Sequence, residues 1–297
     1  MSLHINVYRN ALIIEGLRAC QPSIEATAKI RLTGSLANPI RIKTSFQSPD
    51  TKHMADLAIL VIAIYCAASL FVGSRLMLLA WRTGKQPELF AAIALLGIAP
   101  FGFGLTVVST ILIPHSTLAA NFLWAVAALS LNIGSAGAFL FSYRVFHSGN
   151  ERIRSIVTCL VLLLASLWLA EARLTAFEAA PPASVATRIS DWLRSAALLW
   201  GGLEALQYWT RLRRRVSIGL ADPIVVRRFL LWGIALFGSG VCNTIDATTK
   251  LFVVRALDYP LLTLTNAVSG LLAAACLTFA FWPNRSTAPN PIPAEAR

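Results

Sequence analysis

The chain has 297 residues, of which 56% are hydrophobic and 13% are charged. Soluble domains carry roughly 25% charged residues, so this composition excludes a water-soluble fold and predicts a protein embedded in a lipid bilayer. The formal net charge of +12 would suit a nucleic-acid partner. The basic residues instead gather beside apolar stretches, which excludes nucleic acid and indicates a membrane protein.

The first 53 residues differ in composition from the rest of the chain. Residues 1–53 hold seven Lys or Arg and lack an apolar run long enough for a signal peptide. If the N-terminus lies outside the cell, this basic segment must cross the membrane. We therefore expect either a disordered tail or a translation start at Met54. At the other end, residues 284–297 are rich in proline and predict a disordered tail.

Between these tails, residues 54–283 predict an all-α membrane domain with seven transmembrane helices. A helix needs about 20 mainly apolar residues to cross the hydrocarbon core, and seven stretches are of this order. The predicted spans are 57–81, 88–113, 119–146, 153–170, 192–209, 229–254 and 259–282. Spans longer than the bilayer requires predict tilted helices or protruding ends.

The first three spans resemble the last three when the sequence is shifted by 136 residues. Residues 73–104 and 209–240 align without a gap, with ten identities in 32 positions. Those that constrain the backbone are Pro87/Pro223, Gly97/Gly233, Gly102/Gly238 and Gly104/Gly240. This predicts two parallel repeats, 54–147 and 190–283, joined by a linker helix at 153–170, a 3+1+3 plan found in transporters. Chance similarity among apolar helices is the alternative.

Prolines and one aspartate predict local features of the second and sixth spans. Pro87 and Pro223 stand where these helices begin, and the first turn does not use the missing N–H. Asp222 precedes Pro223 and is an N-cap candidate. Pro100 lies in the middle of the second span, where it removes a backbone hydrogen bond and predicts a kink.

The distribution of Lys and Arg predicts the orientation. Outside the first 53 residues, 14 lie on the side of the C-terminus and five on the opposite side. Basic residues stay in the cytoplasm during insertion, so we expect a multi-pass protein of the cell (inner) membrane, with the N-terminus outside and the C-terminus cytoplasmic. One cluster either contacts anionic lipid head groups or serves topology alone. Its members are Arg211, Arg213, Arg214, Arg215, Arg227 and Arg228.

Ionisable and amide side chains inside the spans are the candidates for function. A charge at the bilayer centre costs about 2.5–3.5 kcal/mol on insertion scales, so it must be paired or used. Glu204 follows two glycines in the fifth span, and Gln207 lies one turn further. In the sixth span Asn243, Asp246 and Lys250 recur at spacings that place them on one helical face.

These polar residues predict a water-filled cavity between the repeats, which would bind a small polar solute. The candidate solute-binding residues are Glu204, Asn243, Asp246, Asn266, Asn132 and Gln207. Asp246 and Lys250 also suit an ion pair, and the alternative for the whole set is a polar network that holds helices together. The first repeat has Ala68 and Thr110 where the second has Glu204 and Asp246, which indicates an asymmetric site.

Several activities are excluded by missing residues. The last span, 259–282, contains no Lys for a retinal Schiff base, and His115 and His147 lie at span ends. No metal-binding set and no Ser–His pair for nucleophilic catalysis can be assembled inside the spans. We expect no cofactor, no metal and no enzyme activity.

The 3+1+3 plan with an outside N-terminus resembles that of the SWEET and PQ-loop transporters. In place of their Pro-Gln signature the chain has Gln-Pro at 86–87 and Asp-Pro at 222–223. Residues 219–233 are also similar to segments of uncharacterised bacterial seven-helix membrane proteins, which implies no activity. The first resemblance implies transport of a small solute. A seven-helix receptor or sensor, and a structural or accessory subunit without transport activity, are the alternatives. Association into a homo-oligomer is also left open.

Overall fold

The computed structural model describes residues 49–177, 184–252 and 260–281. Within these ranges the chain forms seven helices and no strand, which confirms the all-α prediction. The helices are α1 (Pro49–Thr83), α2 (Gln86–Leu112), α3 (Thr117–Phe146), α4 (Glu151–Thr175), α5 (Val185–Val216), α6 (Pro223–Phe252) and α7 (Pro260–Phe281). Residues 1–48 of the predicted N-terminal tail, and the predicted C-terminal tail 284–297, lie outside the described residues.

Within the described residues, each predicted apolar stretch lies on one of these helices to within a residue. Five helices are long and apolar enough to cross a membrane, namely α1, α2, α3, α4 and α6. The described part of α7 holds a shorter apolar helix, Leu264–Ala280, while α5 carries charges at both ends. Large apolar side chains cover the outside of the bundle, including Leu60 and Phe71, each 56% exposed. Such a surface is stable in lipid and not in water, so the fold is that of a multi-pass membrane protein.

The helix ends follow local sequence signals. The Asp222 carboxylate accepts a hydrogen bond from the Ile224 N–H at 2.8 Å, which confirms the predicted N-cap of α6. Pro87 stands in the first turn of α2, as predicted. The Asn150 side chain caps α4 by accepting from the N–H groups of its first turn. These caps satisfy backbone donors that a helix start leaves free.

Six of the helices form a closed ring. Going round it, α1 packs on α2, α2 on α3, α3 on α5, α5 on α6, α6 on α7, and α7 on α1. The remaining helix, α4, packs on the outside against α3 and α5. A ring of six helices leaves a central space that side chains must fill or line.

Glycine allows the closest approach between helices. A Cβ on Gly97 of α2 would lie 2.8 Å from the Cα of Gly134 on α3, which is shorter than the contact distances of real Cβ atoms. On α5, a Cβ at Gly202 would collide with the Phe237 backbone of α6. In lipid, such close backbone packing replaces the hydrophobic effect as the source of helix association.

One segment of α2 departs from α-helical geometry. Residues Ala99–Gly104 form a π-helix between two α-helical parts, where Pro100 predicted a kink. Proline lacks an N–H and its ring clashes with the carbonyl four residues earlier, and the wider π turn relieves that clash. The aligned part of α6 is a continuous α-helix. π segments often occur at functional sites, and this one carries Phe103.

Candidate functional site

A cavity of about 830 Å³ occupies the centre of the six-helix ring. All seven helices contribute to its lining, and on α1 the lining residues run from Ala58 to Leu76. Eighteen residues of α-helix rise about 27 Å, so the cavity is elongated along the bundle axis. Its length is close to the roughly 30 Å thickness of a bilayer core.

The two ends of the cavity differ in polarity. We call the end with connections 84–85, 147–150 and 217–222 the basic end, and the end with connection 113–116 the far end. Toward the basic end the lining is mainly apolar, with Leu76, Ala91, Phe141, Trp232 and Leu277. Toward the far end it includes Glu171, Thr187, Arg188, Asp191, Arg194, Asp246 and Lys250. The polar chemistry of the cavity is therefore concentrated at the far end.

Four charged side chains at the far end form one connected cluster. The Arg194 Nη1 donates to Asp191 Oδ1 at 2.9 Å, and the Lys250 Nζ donates to Asp191 Oδ2 at 3.3 Å. Lys250 Nζ also lies 2.6 Å from Asp246 Oδ2, on the helical face where their spacing places both. We call these four residues the charged cluster. It joins α5 to α6 with two acidic and two basic groups, so its formal charge is zero.

Glu171 forms a separate polar junction beside the charged cluster. Its Oε1 accepts a hydrogen bond from Thr187 Oγ1 at 2.8 Å and one from Trp124 Nε1 at 3.4 Å. Glu171 is 5% exposed, and the three residues stand on α4, α5 and α3. This junction fastens α4 to the ring at the far end.

Three polar atoms in the cavity lining have no hydrogen-bond partner among the described residues. They are the Nε atoms of Arg188 and Arg194 and the Oδ1 of Asn266. Arg194 is 5% exposed, and its guanidinium lies 5.9 Å from the ring centroid of Phe103 across the cavity. A buried donor or acceptor without a partner costs about 1–3 kcal/mol, so these atoms favour a hydrogen-bonding partner such as water or a ligand group.

Asn132 and Asn243 also line the cavity, but their amide N–H groups are engaged. The Asn132 Nδ2 donates to the Leu164 carbonyl at 3.2 Å, which ties α3 to α4. The Asn243 Nδ2 donates to the Ser239 carbonyl at 2.8 Å within α6. Together with Asp246 and Asn266, four of the six candidate residues from the sequence line one cavity.

Glu204 and Gln207 lie apart from the cavity, contrary to the sequence-based expectation. The Glu204 Oε1 lies 2.9 Å from His147 Nε2 and accepts from Trp200 Nε1 at 3.3 Å. The His147 ring stacks on Trp200 at a centroid distance of 5.9 Å. Gln207 is exposed. The lining face of α5 ends at Gly201, so Glu204 instead joins α5 to the end of α3.

Aromatic side chains pack where the cavity approaches the basic end. Phe141 and Trp232, which line the cavity, have ring centroids 4.6 Å apart. Phe229 packs on Tyr208 at 4.7 Å, and Phe146 contacts both at 5.9 and 6.1 Å. These rings from α3, α5 and α6 form a layer of apolar surface on that side of the cavity.

Sequence reasoning missed Asp191, Arg194 and Glu171 as site residues. It counted Arg194 only among the basic residues of one side, because these three stand at or beyond the ends of the predicted spans. A charge there has the same pattern as a solvated loop charge. The Asp191–Arg194 spacing of three residues was the available signal, since it places opposite charges on one helical face.

The described ranges contain no group of three or more His, Cys, Asp or Glu side chains that could hold a metal ion. No protein family matches the chain, and neither a curated protein nor a solved structure matches it. The function must therefore be argued from the cavity itself.

Proposed function

We propose that the chain is a seven-span membrane protein that binds a small polar solute in its central cavity and moves it across the bilayer. The observation that carries this proposal is the 830 Å³ cavity, which extends along most of the bundle and has buried, unpartnered polar atoms at one end. A purely structural bundle would gain stability by filling that space with packed side chains, because close packing drives the association of helices in lipid.

The order of the helices in the ring supports the 3+1+3 plan. Exchanging α1 with α5, α2 with α6, and α3 with α7 leaves the set of neighbours unchanged, because α3 contacts α5 just as α7 contacts α1. The helix without a counterpart, α4, is the one outside the ring. This is the arrangement expected when two parallel triplets are related by an axis along the membrane normal, and the cavity then lies between the triplets.

In this proposal α5 and α7 also cross the membrane. The 32 residues of α5 rise about 48 Å, which is longer than the hydrocarbon core, so its terminal charges reach the interfaces. Asp191 and Arg194, which lie further in, neutralise each other at 2.9 Å. The 22 residues of α7 rise about 33 Å, enough for one crossing.

Arginines at the α5–α6 connection support a cytoplasmic basic end in contact with anionic lipid. All six lie in or beside this connection and are exposed: Arg211, Arg213, Arg214, Arg215, Arg227 and Arg228. Each basic residue near an anionic surface contributes about 1 kcal/mol of attraction. This orientation leaves the N-terminus outside in the inner membrane and turns the charged cluster toward the outer side.

The aromatic layer favours a second candidate function. In this second proposal the packed rings of Phe141, Trp232 and Phe229 block passage toward the basic end, so that a ligand entering from the far end stops there. A receptor that binds its ligand from outside requires only this half-open cavity. Transport additionally requires that the layer separates.

Labelling of single cysteines distinguishes these functions. In a chain whose five native cysteines are replaced by serine or alanine, we substitute Ser269→Cys, which lines the cavity. The matched control is Val268→Cys, because Val268 is the neighbour of Ser269 and its side chain is 42% exposed on the outside of α7. Right-side-out and inverted vesicles are then treated with a membrane-impermeant maleimide.

A transporter predicts that Ser269→Cys reacts in both vesicle orientations and that Val268→Cys, in lipid, reacts in neither. Reaction from the outer side alone would indicate the receptor. A Ser269→Cys chain that is folded yet unreactive from both sides would contradict the solute cavity and indicate a structural subunit.

A further inference from the structure

The six charged side chains that line the cavity balance each other. They are Glu171, Asp191 and Asp246 on the acidic side, and Arg188, Arg194 and Lys250 on the basic side. A solute with a net charge would leave one charge uncompensated in a largely apolar space. Even after relaxation, burying an unpaired ion costs several kcal/mol. The cavity as it stands therefore disfavours ligands with a net charge.

The acidic groups are also already engaged with protein partners. Asp191 holds Arg194 and Lys250, Asp246 holds Lys250, and Glu171 accepts from Thr187 and Trp124. A zwitterionic ligand would have to share these carboxylates with their present partners. Among the described residues, the buried lining atoms without a hydrogen-bond partner are donors on Arg194 and Arg188 and an acceptor on Asn266.

These unpartnered atoms are complementary to a ligand group that both accepts and donates hydrogen bonds. A primary amide or a hydroxyl does both without carrying charge, while a carboxylate only accepts and an ammonium only donates. Arg194 can accommodate the acceptor because Nη1 already bonds to Asp191 and Nε remains. The Oδ1 of Asn266 is left to receive the donor.

The remainder of the cavity is suited to an apolar body. Between the charged cluster and the aromatic layer the lining includes Leu95, Ile98, Leu131, Leu198 and Leu236. Apolar surface transferred there gains about 0.8 kcal/mol for each CH₂ buried.

Building on the proposed solute cavity, we propose that its ligand is an uncharged amphiphile. An amide or hydroxyl head binds between Arg194 and Asn266 at the far end, and an apolar chain points toward Phe141 and Trp232. The buried, neutral arrangement of charges selects against acids and amines with the same chain.

The test compares four six-carbon ligands on the full chain in nanodiscs of neutral lipid. Hexanamide and 1-hexanol are uncharged, and hexanoate and hexylammonium are charged at pH 7. Binding is followed by saturation-transfer NMR and by the shift of the unfolding midpoint. Ser269→Trp places a bulky side chain in the cavity one turn from Asn266 and obstructs the proposed head-group site. The signal that remains in this variant measures partitioning into lipid and is subtracted. We expect both uncharged ligands to bind at least about tenfold more tightly than both charged ones, equivalent to 1.4 kcal/mol.

A second comparison removes the same hydrogen bond from either side. Asn266→Leu should weaken hexanamide about tenfold, and N,N-dimethylhexanamide, which has no N–H, should bind the wild type equally weakly and be insensitive to Asn266→Leu. Asn266 is chosen because it lies outside the charged cluster, so its replacement leaves the ion pairs intact. Gln207→Leu, an exposed amide away from the cavity, is the matched control and should change nothing.

Three results separate this inference from the proposed function. If hexanoate or hexylammonium binds as tightly as hexanamide and Ser269→Trp abolishes the binding, the cavity binds solutes but the uncharged-amphiphile inference is wrong. If Asn266→Leu and Gln207→Leu have equal effects on hexanamide, the assigned head-group site is wrong. If no ligand binds the wild type more tightly than Ser269→Trp, the inference is wrong. If Ser269→Cys is then also unlabelled from both sides, the proposed solute cavity is wrong as well.

Discussion

Helices α2 and α6 align without a gap at a shift of 136 residues, yet they pack differently. At the end of the π segment the aligned glycines agree, since Gly104 faces Cys66 on α1 and Gly240 faces Leu199 on α5, the helix aligned with α1. Before it they disagree: Gly97 faces α3, whereas Gly233 faces Leu206 on α5.

The π segment explains this difference. A π turn closes its hydrogen bond one residue later than an α turn, and one residue corresponds to about 100° of rotation. The side chains of α2 that precede Ala99–Gly104 are therefore rotated about the helix axis relative to those that follow it. A gapless alignment cannot preserve both faces of a helix when only one copy contains a π turn. The two repeats also differ in charge, because α6 carries Asp246 and Lys250 where the aligned positions are Thr110 on α2 and Pro114 in the connection after it.

The largest expected effect comes from the charged end of α6. Lys250→Gln removes the cation that joins Asp191 to Asp246, leaving two buried carboxylates with Arg194 alone. Breaking a buried pair costs about 3–5 kcal/mol, and because the Lys250 side chain is 26% exposed we expect about 2–3 kcal/mol. The measurement is the free energy of unfolding in mixed detergent micelles.

Glu204→Gln is the control for that variant. It removes the charge of the other interhelical pair, to His147, but keeps a side chain that can hydrogen-bond, so we expect a loss of about 1 kcal/mol. Equal losses for the two variants would contradict a special role of the charged cluster.

The second-largest effect concerns Gly97 and Gly233, the aligned glycines that face different neighbouring helices. The Gly97→Ala methyl group would lie 2.8 Å from the Gly134 Cα and from the Ser130 carbonyl, which are backbone atoms that cannot move aside. Overpacking of this kind costs typically 1–3 kcal/mol, and we expect about 2. For Gly233→Ala the nearest atoms belong to the Leu206 side chain, which can change rotamer, so the loss should be below about 1 kcal/mol.

Unfolding of the two alanine variants under identical conditions gives the comparison directly. The same destabilisation at both positions would mean that α2 and α6 present the same face, and the π-segment explanation would be wrong.

The smallest effect should have the opposite sign. Nothing lies within 4 Å of a Cβ built on Gly238, whereas one on the aligned Gly102 meets the Leu131 side chain and the Gly97 carbonyl. Alanine is a better helix former than glycine by up to about 1 kcal/mol. Gly238→Ala should therefore stabilise the protein slightly and Gly102→Ala should destabilise it. Thermal unfolding checks the signs, and stabilisation by both would show that the packing around Gly102 is loose.

The sequence determined the class of this protein and the position of its helices. Long apolar runs identify lipid-embedded helices because a helix satisfies its backbone hydrogen bonds within one segment, and Asp222 and Pro87 marked helix starts through local chemistry. It also placed Asp246 and Lys250 on one face, since their spacing alone decides that.

Tertiary structure alone decided which faces line the cavity. Asp191 and Lys250 are 59 positions apart and meet only because α5 packs on α6, and Glu204 points to His147 because α3 ends beside it. Helical periodicity relates residues within one helix. The rotation of each helix against its neighbours is set by close contacts such as Gly97 with Gly134. It is also set by the extra residue of the π turn, where Pro100 predicted a kink but not its geometry.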